Sequence, residues 1–165
     1  MTKEEFERRI VGMQDTLYRV SATILKQNCD REDAIQECVY RALKKRDGLR
    51  DDRAMQSWVI RILINECYVI LRRSKREQPM EQLPEPEPQT GPGGDRQAMR
   101  LLYSLSEELR LPMVLYYVEG YSVKEIARIL RIPQGTVKSR MNRARKKMKV
   151  DILREEADEP CRAST

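Results

Sequence analysis

Between Gly120 and Val150 ten side chains are basic: Lys124, Arg128, Arg131, Lys138, Arg140, Arg143, Arg145, Lys146, Lys147 and Lys149. One, Glu125, is acidic. A merely solvated helix face mixes both signs. So one-sided a run suits a polyanion, because each cation that meets a phosphate releases a condensed counterion. The start of its second half adds another capacity. Gln134, Thr136, Lys138, Ser139 and Arg140 are residue types that can hydrogen-bond to base edges in a major groove. Arg143, Arg145, Lys146 and Lys147 come later and suit phosphates. Arg140 is the expected reader of a base, placed on the face away from Val137 and Met141.

Two short helices would have to position these groups. Ser122 and Glu125 have the spacing of a capping box, in which hydroxyl and carboxylate each satisfy a free amide at the helix start. Val123, Ile126, Ala127 and Leu130 give that helix an apolar face. A turn is expected at Arg131–Ile132, and Pro133 can open the next helix, where its missing N–H costs nothing. Val137, Met141, Ala144 and Met148 would face inward. The pattern is a helix-turn-helix.

Other chemistries find little support. The chain has no histidine, and its four cysteines, Cys29, Cys38, Cys67 and Cys161, show no C-x-x-C spacing. No metal site and no cofactor are expected. Without a glycine-rich phosphate loop or a paired-carboxylate signature, no catalytic residue is expected and the protein does not read as an enzyme. Cys29, Cys38 and Cys67 read as small buried apolar residues, and Cys161 as a free thiol.

The rest of the chain reads as all-α. Of 165 residues, 40% are apolar, 35% charged and only 5% aromatic, with a net charge of +6. That balance suits helices with wide solvated faces. Between Glu77 and Asp95 lie five of the eight prolines and three of the seven glycines. No regular element should persist there. The expected organisation is therefore a helical domain over 1–76, a Pro/Gly-rich linker over 77–95, a second helical domain over 96–155 and a polar tail over 156–165. In the first domain Phe6, Ile10, Met13, Leu17, Val20 and Ile24 step by four and three along one helix face. A second helix is expected from an Asp30 N-cap, with Ile35, Cys38, Val39, Ala42 and Leu43 inward. A third is expected from Ala54 to Lys75, followed in the second domain by helices over 96–104 and 106–118. No run approaches the ~20 apolar residues of a membrane span. Met1–Glu5 lacks the form of a signal peptide, so a cytoplasmic protein is expected.

Three segments then acquire a common meaning. DREDAIQECVYRALKK (30–45) resembles the polymerase-binding helix in region two of bacterial RNA polymerase sigma factors. QSWVIRILINECYVILRRSKR (56–76) resembles the next helix, which handles the −10 promoter element. YSVKEIARILRIPQGTVKSRMNRARKKMK (121–149) is similar to the region-four helix-turn-helix that reads the −35 element. Order and spacing, with a linker in place of a third domain, resemble the extracytoplasmic-function group. The resemblance implies that Asp33, Gln36 and Glu37 dock on core RNA polymerase. It implies that Asn65, Arg72, Arg73, Lys75 and Arg76 face promoter DNA near −10, that loop 47–53 captures a flipped base, and that Trp58 packs in the core. It also implies an anti-sigma factor, often membrane-bound, as an inhibitory partner, and no small-molecule substrate. Val69 stands where many members carry an acid, and Arg131 where glycine is frequent. The function implied is that of a factor that brings polymerase to −35 and −10 elements and assists melting. The alternative is a free-standing helix-turn-helix regulator dimerising through its N-terminal heptads.

The linker composition makes a first prediction. Limited proteolysis should nick between Glu77 and Asp95 and leave two stable helical fragments. Early cleavage within 121–149, with 77–95 intact, would contradict two independent lobes.

Overall fold

The computed structural model describes residues 1–77 and 96–162, with side chains through Ala157. The expected linker lies, apart from Glu77, outside the described residues, as does the side chain of Cys161. Among the described residues every regular element is helical, and the chain forms two compact units.

The first unit holds α1 (Lys3–Gly12), α2 (Gln14–Ile24), α3 (Asn28–Lys45) and α4 (Met55–Glu77). The N-terminal stripe expected as one helix is broken after Gly12, a poor helix former. Met13 takes φ −92° and ψ 1° there. The Leu17 amide still donates to the Met13 carbonyl at 2.9 Å, so the apolar register survives the break. Phe6, Ile10, Met13, Leu17, Val20 and Ile24 are all at most 6% exposed. Burying side chains of this size stabilises by about 1.5–3 kcal/mol each. The stripe is thus spent inside its own bundle and is not open as a dimer seam.

The turn from α2 to α3 is closed by a buried arginine. Arg31 Nε donates to the Leu25 carbonyl at 2.8 Å, and its Nη2 donates to the Lys26 carbonyl at 3.0 Å. Tyr18 Oη donates to Asn28 Oδ1 at 2.6 Å across the same turn. Helix α3 begins two residues before the expected Asp30 cap, after Gln27, with no side-chain cap. Asp30 lies in its first turn instead, where burial and the nearby Asp33 carboxylate raise its pKa. Ala34, Cys38 and Ala42 form the buried face of α3. Helix α4 supplies Met55, Val59, Ile60, Leu63, Ile64 and Cys67. Trp58 is half-buried, its ring edge-on to Phe6 at 6.4 Å. By length and composition alone α4 could cross a membrane, contrary to the sequence expectation. Its apolar face, however, packs on α2 and α3.

The second unit holds α5 (Arg96–Ser104), α6 (Glu107–Met113), α7 (Val123–Leu130) as far as Ala127, and α8 (Gln134–Arg162). Arg110 donates to the Tyr103 and Leu105 carbonyls at 2.8 and 2.6 Å, fastening the end of α5 to α6. Pro112 lies inside α6 and brings no amide to the ladder. Immediately after it the backbone loosens into a π turn over Val114–Val118. Gly120, at φ +76°, ends that turn. Helix α8 continues to Arg162, past the Glu155 boundary expected for this domain.

The thiols correct one expectation and yield a prediction. Cys38 and Cys67 are buried, but Cys29 is exposed at the start of α3. Burial pushes both buried thiols up to about 12, from an ordinary 9.0, with the Glu66 carboxylate adding to the effect. In a Cys161→Ser variant at neutral pH, Cys29 alone should react quickly with a thiol reagent. The folded state keeps the other two protons longer than the unfolded chain does, so stability should fall as pH rises from about 9 toward 12. Denaturant titrations across that window check the sign.

Candidate functional site

Around Ser122 the backbone and side chains form the expected capping box. The Glu125 amide donates to Ser122 Oγ at 3.2 Å, and the Ser122 amide donates to the Glu125 carboxylate at 2.8 Å. Helix α7 then runs eight residues to Leu130. Arg131 takes φ +55°, the only positive φ at a non-glycine among the described residues. The Ile132 amide reaches back to the Ala127 carbonyl at 3.1 Å, the six-to-one bond of a left-handed helix stop. The Val137 amide donates to the Pro133 carbonyl, so Pro133 sits at the very start of α8. Ile126, Val137, Met141 and Ala144 are buried.

The face of α8 opposite that core is open. Gln134, Lys138, Ser139, Arg143, Arg145, Lys146 and Lys147 are exposed, and Thr136 is half-buried. At 100° per residue, Ser139, Asn142, Arg143 and Lys146 lie roughly 120–180° around the axis from Val137. Asn142 is exposed in the middle of this stripe, and composition alone did not single it out. Its amide could pair with adenine. The signal that finds it is the helical wheel centred on Val137.

Arg140 departs from expectation. It lies only about 60° from Val137, on the flank of the core and not opposite it. Its Nη2 is 2.9 Å from Glu108 Oε1 on α6, and its side chain is 24% exposed. Arg145 is also engaged: its Nε donates to Tyr117 Oη at 3.0 Å, with the guanidinium 5.7 Å above the Tyr117 ring. Both residues spend charge inside the unit, a pairing that no local sequence pattern announces.

In the first unit α3 and α4 enclose a cleft of about 630 Å³. Asp33, Gln36 and Glu37 all line it, together with Tyr40 and Arg41 of the same helix stripe. From α4 come Glu66, Val69, Ile70 and Arg73. Arg73 therefore stands with the carboxylates, although the sequence grouped it with DNA contacts. Arg41 is the centre of the network: its Nε bonds Glu37 at 2.7 Å, and its Nη1 pairs with Glu66 at 2.9 Å. Glu66 is only 5% exposed and was not anticipated.

Asn65, Arg72, Lys75 and Arg76 are exposed on α4. Asn65, Arg72 and Arg76 fall within about 40° of one another around the axis. The segment expected as a simple loop over 47–53 contains short 3-10 turns, Arg46–Gly48 and Asp52–Ala54. Asp51 caps the second by accepting from the Arg53 amide at 2.9 Å.

Comparison with known proteins matches both halves of the sequence to described family models. The model of Sigma-70 region 2 matches residues 10–77, and that of Sigma-70 region 4 matches residues 95–148. The chain is 33% identical over 142 residues to the ECF RNA polymerase sigma factor SigM of Mycobacterium tuberculosis, covering 80% of this chain and 69% of that one. It is 30% identical over 158 residues to the RNA polymerase sigma-E factor of Streptomyces avermitilis, covering 93% and 88%. The fold resembles that of the sigma factor RpoE of Bartonella quintana, solved with the anti-sigma factor NepR. There the TM-score is 0.76 at 24% identity, covering 92% of this chain and 98% of that one.

The left-handed Arg131 supports a prediction about the turn between α7 and α8. An L-residue with a Cβ is strained there by roughly 1 kcal/mol relative to glycine, partly offset by glycine's freedom in the unfolded chain. Arg131→Gly should raise stability by about 0.5–1 kcal/mol, read as a rise of a few degrees in the melting temperature. A lower melting temperature would show that the arginine side chain makes a compensating contact.

Proposed function

From a chain that belongs to the extracytoplasmic-function group of RNA polymerase sigma factors, we propose a division of labour between two surfaces. The protein binds core RNA polymerase and gives it promoter-specific initiation. Its second unit reads the −35 element with the open stripe of α8. Its first unit docks polymerase at the α3–α4 cleft through Asp33, Gln36 and Glu37. The same unit follows the −10 strand with Asn65, Arg72, Lys75 and Arg76, while Arg73 lines the cleft. The observation that carries the reading is the stripe itself: Ser139, Asn142, Arg143 and Lys146 face outward while Val137, Met141 and Ala144 are buried beneath them.

The physics of initiation fits this division. Opening a duplex costs about 1.4 kcal/mol per base-pair step. Capture of extruded bases in a pocket offsets part of that cost. Trp58 is the only tryptophan and Phe6 the only phenylalanine. Both rings belong to the core contact, so pocket capture is favoured over broad stacking. The chemistry of RNA synthesis stays with the polymerase, and no catalytic group is assigned to this chain. Its place of action is that of the polymerase, in the cytoplasm. An anti-sigma factor completes the proposal, by analogy with the complex of the Bartonella protein. A free-standing dimeric regulator is disfavoured by the burial of the N-terminal stripe. The deciding experiment is run-off transcription on genomic templates with core polymerase, with and without this protein. Promoter-specific transcripts only in its presence are expected; none at any promoter would remove the reading.

Base reading and phosphate anchoring can be separated on α8. Arg143→Ala should cost about 1–3 kcal/mol on the preferred −35 sequence and flatten discrimination at one base pair. Lys146→Ala should weaken all sequences alike and reduce the salt slope by about one unit. Arg140→Ala, which removes a partner of Glu108, should change stability more than base preference. Holoenzyme binding to single-base −35 variants at two salt concentrations measures all three. Equal loss on every sequence for Arg143→Ala would move that residue to the phosphates.

A further inference from the structure

We propose that Glu66 is a positioning residue for polymerase docking: its buried carboxylate holds the Arg41 guanidinium, which in turn fixes Glu37 on the wall of the α3–α4 cleft. The inference rests on the reading of that cleft as the polymerase-docking surface and names what presets it.

A carboxylate on the core side of α4 is costly unless paired. Glu66 is 5% exposed, yet its neighbours on the helix, Leu63, Ile64 and Cys67, are apolar and buried. Its ion pair runs outward, not across the core. Arg41 Nη1 takes Glu66 Oε1 at 2.9 Å, while Nε of the same guanidinium takes Glu37 Oε1 at 2.7 Å. Arg41 and Glu37 are both nearly half exposed at their side chains. Left to themselves, two such side chains on one exposed helix face would hold a single geometry weakly, since exposed i,i+4 pairs are worth little. Anchoring the guanidinium at its buried end removes much of that freedom. Glu37 then meets a partner already oriented, without losing as much rotamer entropy on docking. The chain of contacts runs from interior to rim along the cleft that Asp33 and Gln36 also line.

Val69 supports the assignment. It lines the same cleft one turn after Glu66 and is apolar, as is Ile70 beside it, so Glu66 supplies the acid on the α4 wall. Glu66 places a carboxylate on the same wall, one turn earlier along α4.

The test measures affinity of the full chain for core RNA polymerase, at a temperature where circular dichroism shows each variant folded. Coupling within one ion-pair network commonly changes an affinity about tenfold. Glu66→Gln should therefore weaken binding about tenfold. Adding Val69→Asp to it should recover most of the loss by returning a carboxylate to the cleft wall. Adding Glu66→Gln to Glu37→Gln should weaken binding little further, since both act through one contact. If Glu66→Gln does not fold, Arg41→Gln, at a half-exposed position, reads the same link from the other side. The inference is overturned if Glu66→Gln, or Arg41→Gln in its place, binds as wild type. It is also overturned if Val69→Asp restores the melting temperature but not the affinity. Failure of the wild-type chain itself to bind core enzyme would instead remove the proposed function, which keeps the two failures distinct.

Discussion

Past the end of α2 the carbonyls of Leu25 and Lys26 are met by one buried side chain. Unpaired, the buried Leu25 carbonyl would cost about 1–3 kcal/mol. The Arg31 side chain, 5% exposed, meets both. A buried guanidinium is tolerable only when its fork of donors is used, and here the acceptors are fixed backbone atoms. That one closure sets where α3 starts and how it leaves the turn. Asp33, Gln36, Glu37 and Arg41 all ride on α3, so the composition of the cleft follows from it. The absence of a side-chain cap on α3 is consistent with this: the turn is held by Arg31 and by the Tyr18–Asn28 bond, not by a cap.

The second unit faces a different constraint, because α8 must be core and contact surface at once. Val137, Met141 and Ala144 occupy one side, and the cations must share what remains. Two of them are drawn off, Arg140 to Glu108 and Arg145 to Tyr117. The consequence is a narrower outward stripe in which polar Ser139 and Asn142 stand beside Arg143. A stripe of that kind offers hydrogen bonds as well as charge, which is what reading a base edge asks of a helix. The turn before it is bought with a left-handed arginine, so the angle between α7 and α8 is held against some backbone strain.

Much of the molecule was legible along the chain. Capping box, turn and Pro133 start are local chemistry: each involves groups within four residues, and the structure reproduces them nearly residue for residue. The all-α class and the buried heptad stripe followed from helical periodicity, which survives even the break after Gly12 because the register resumes in α2. Asp33, Gln36 and Glu37 share a helix face by spacing alone, and the fold places them in one cleft. Those readings succeed because a helix converts sequence separation directly into direction.

Tertiary structure decided the long-range pairings. Nothing near Arg140 in sequence points to Glu108, 32 residues away, nor does Arg41 point to Glu66. Cys29 looked like a core residue by type, and only the position of the α2–α3 turn left it exposed. No local pattern marks Glu66 as buried, yet it is 5% exposed and paired with Arg41 of α3. Composition and periodicity settled which helices form and which faces they bury. Which charged side chain is taken out of water, and by which partner, depends on the distance between helices after packing, and that distance is not written in any local stretch of the chain.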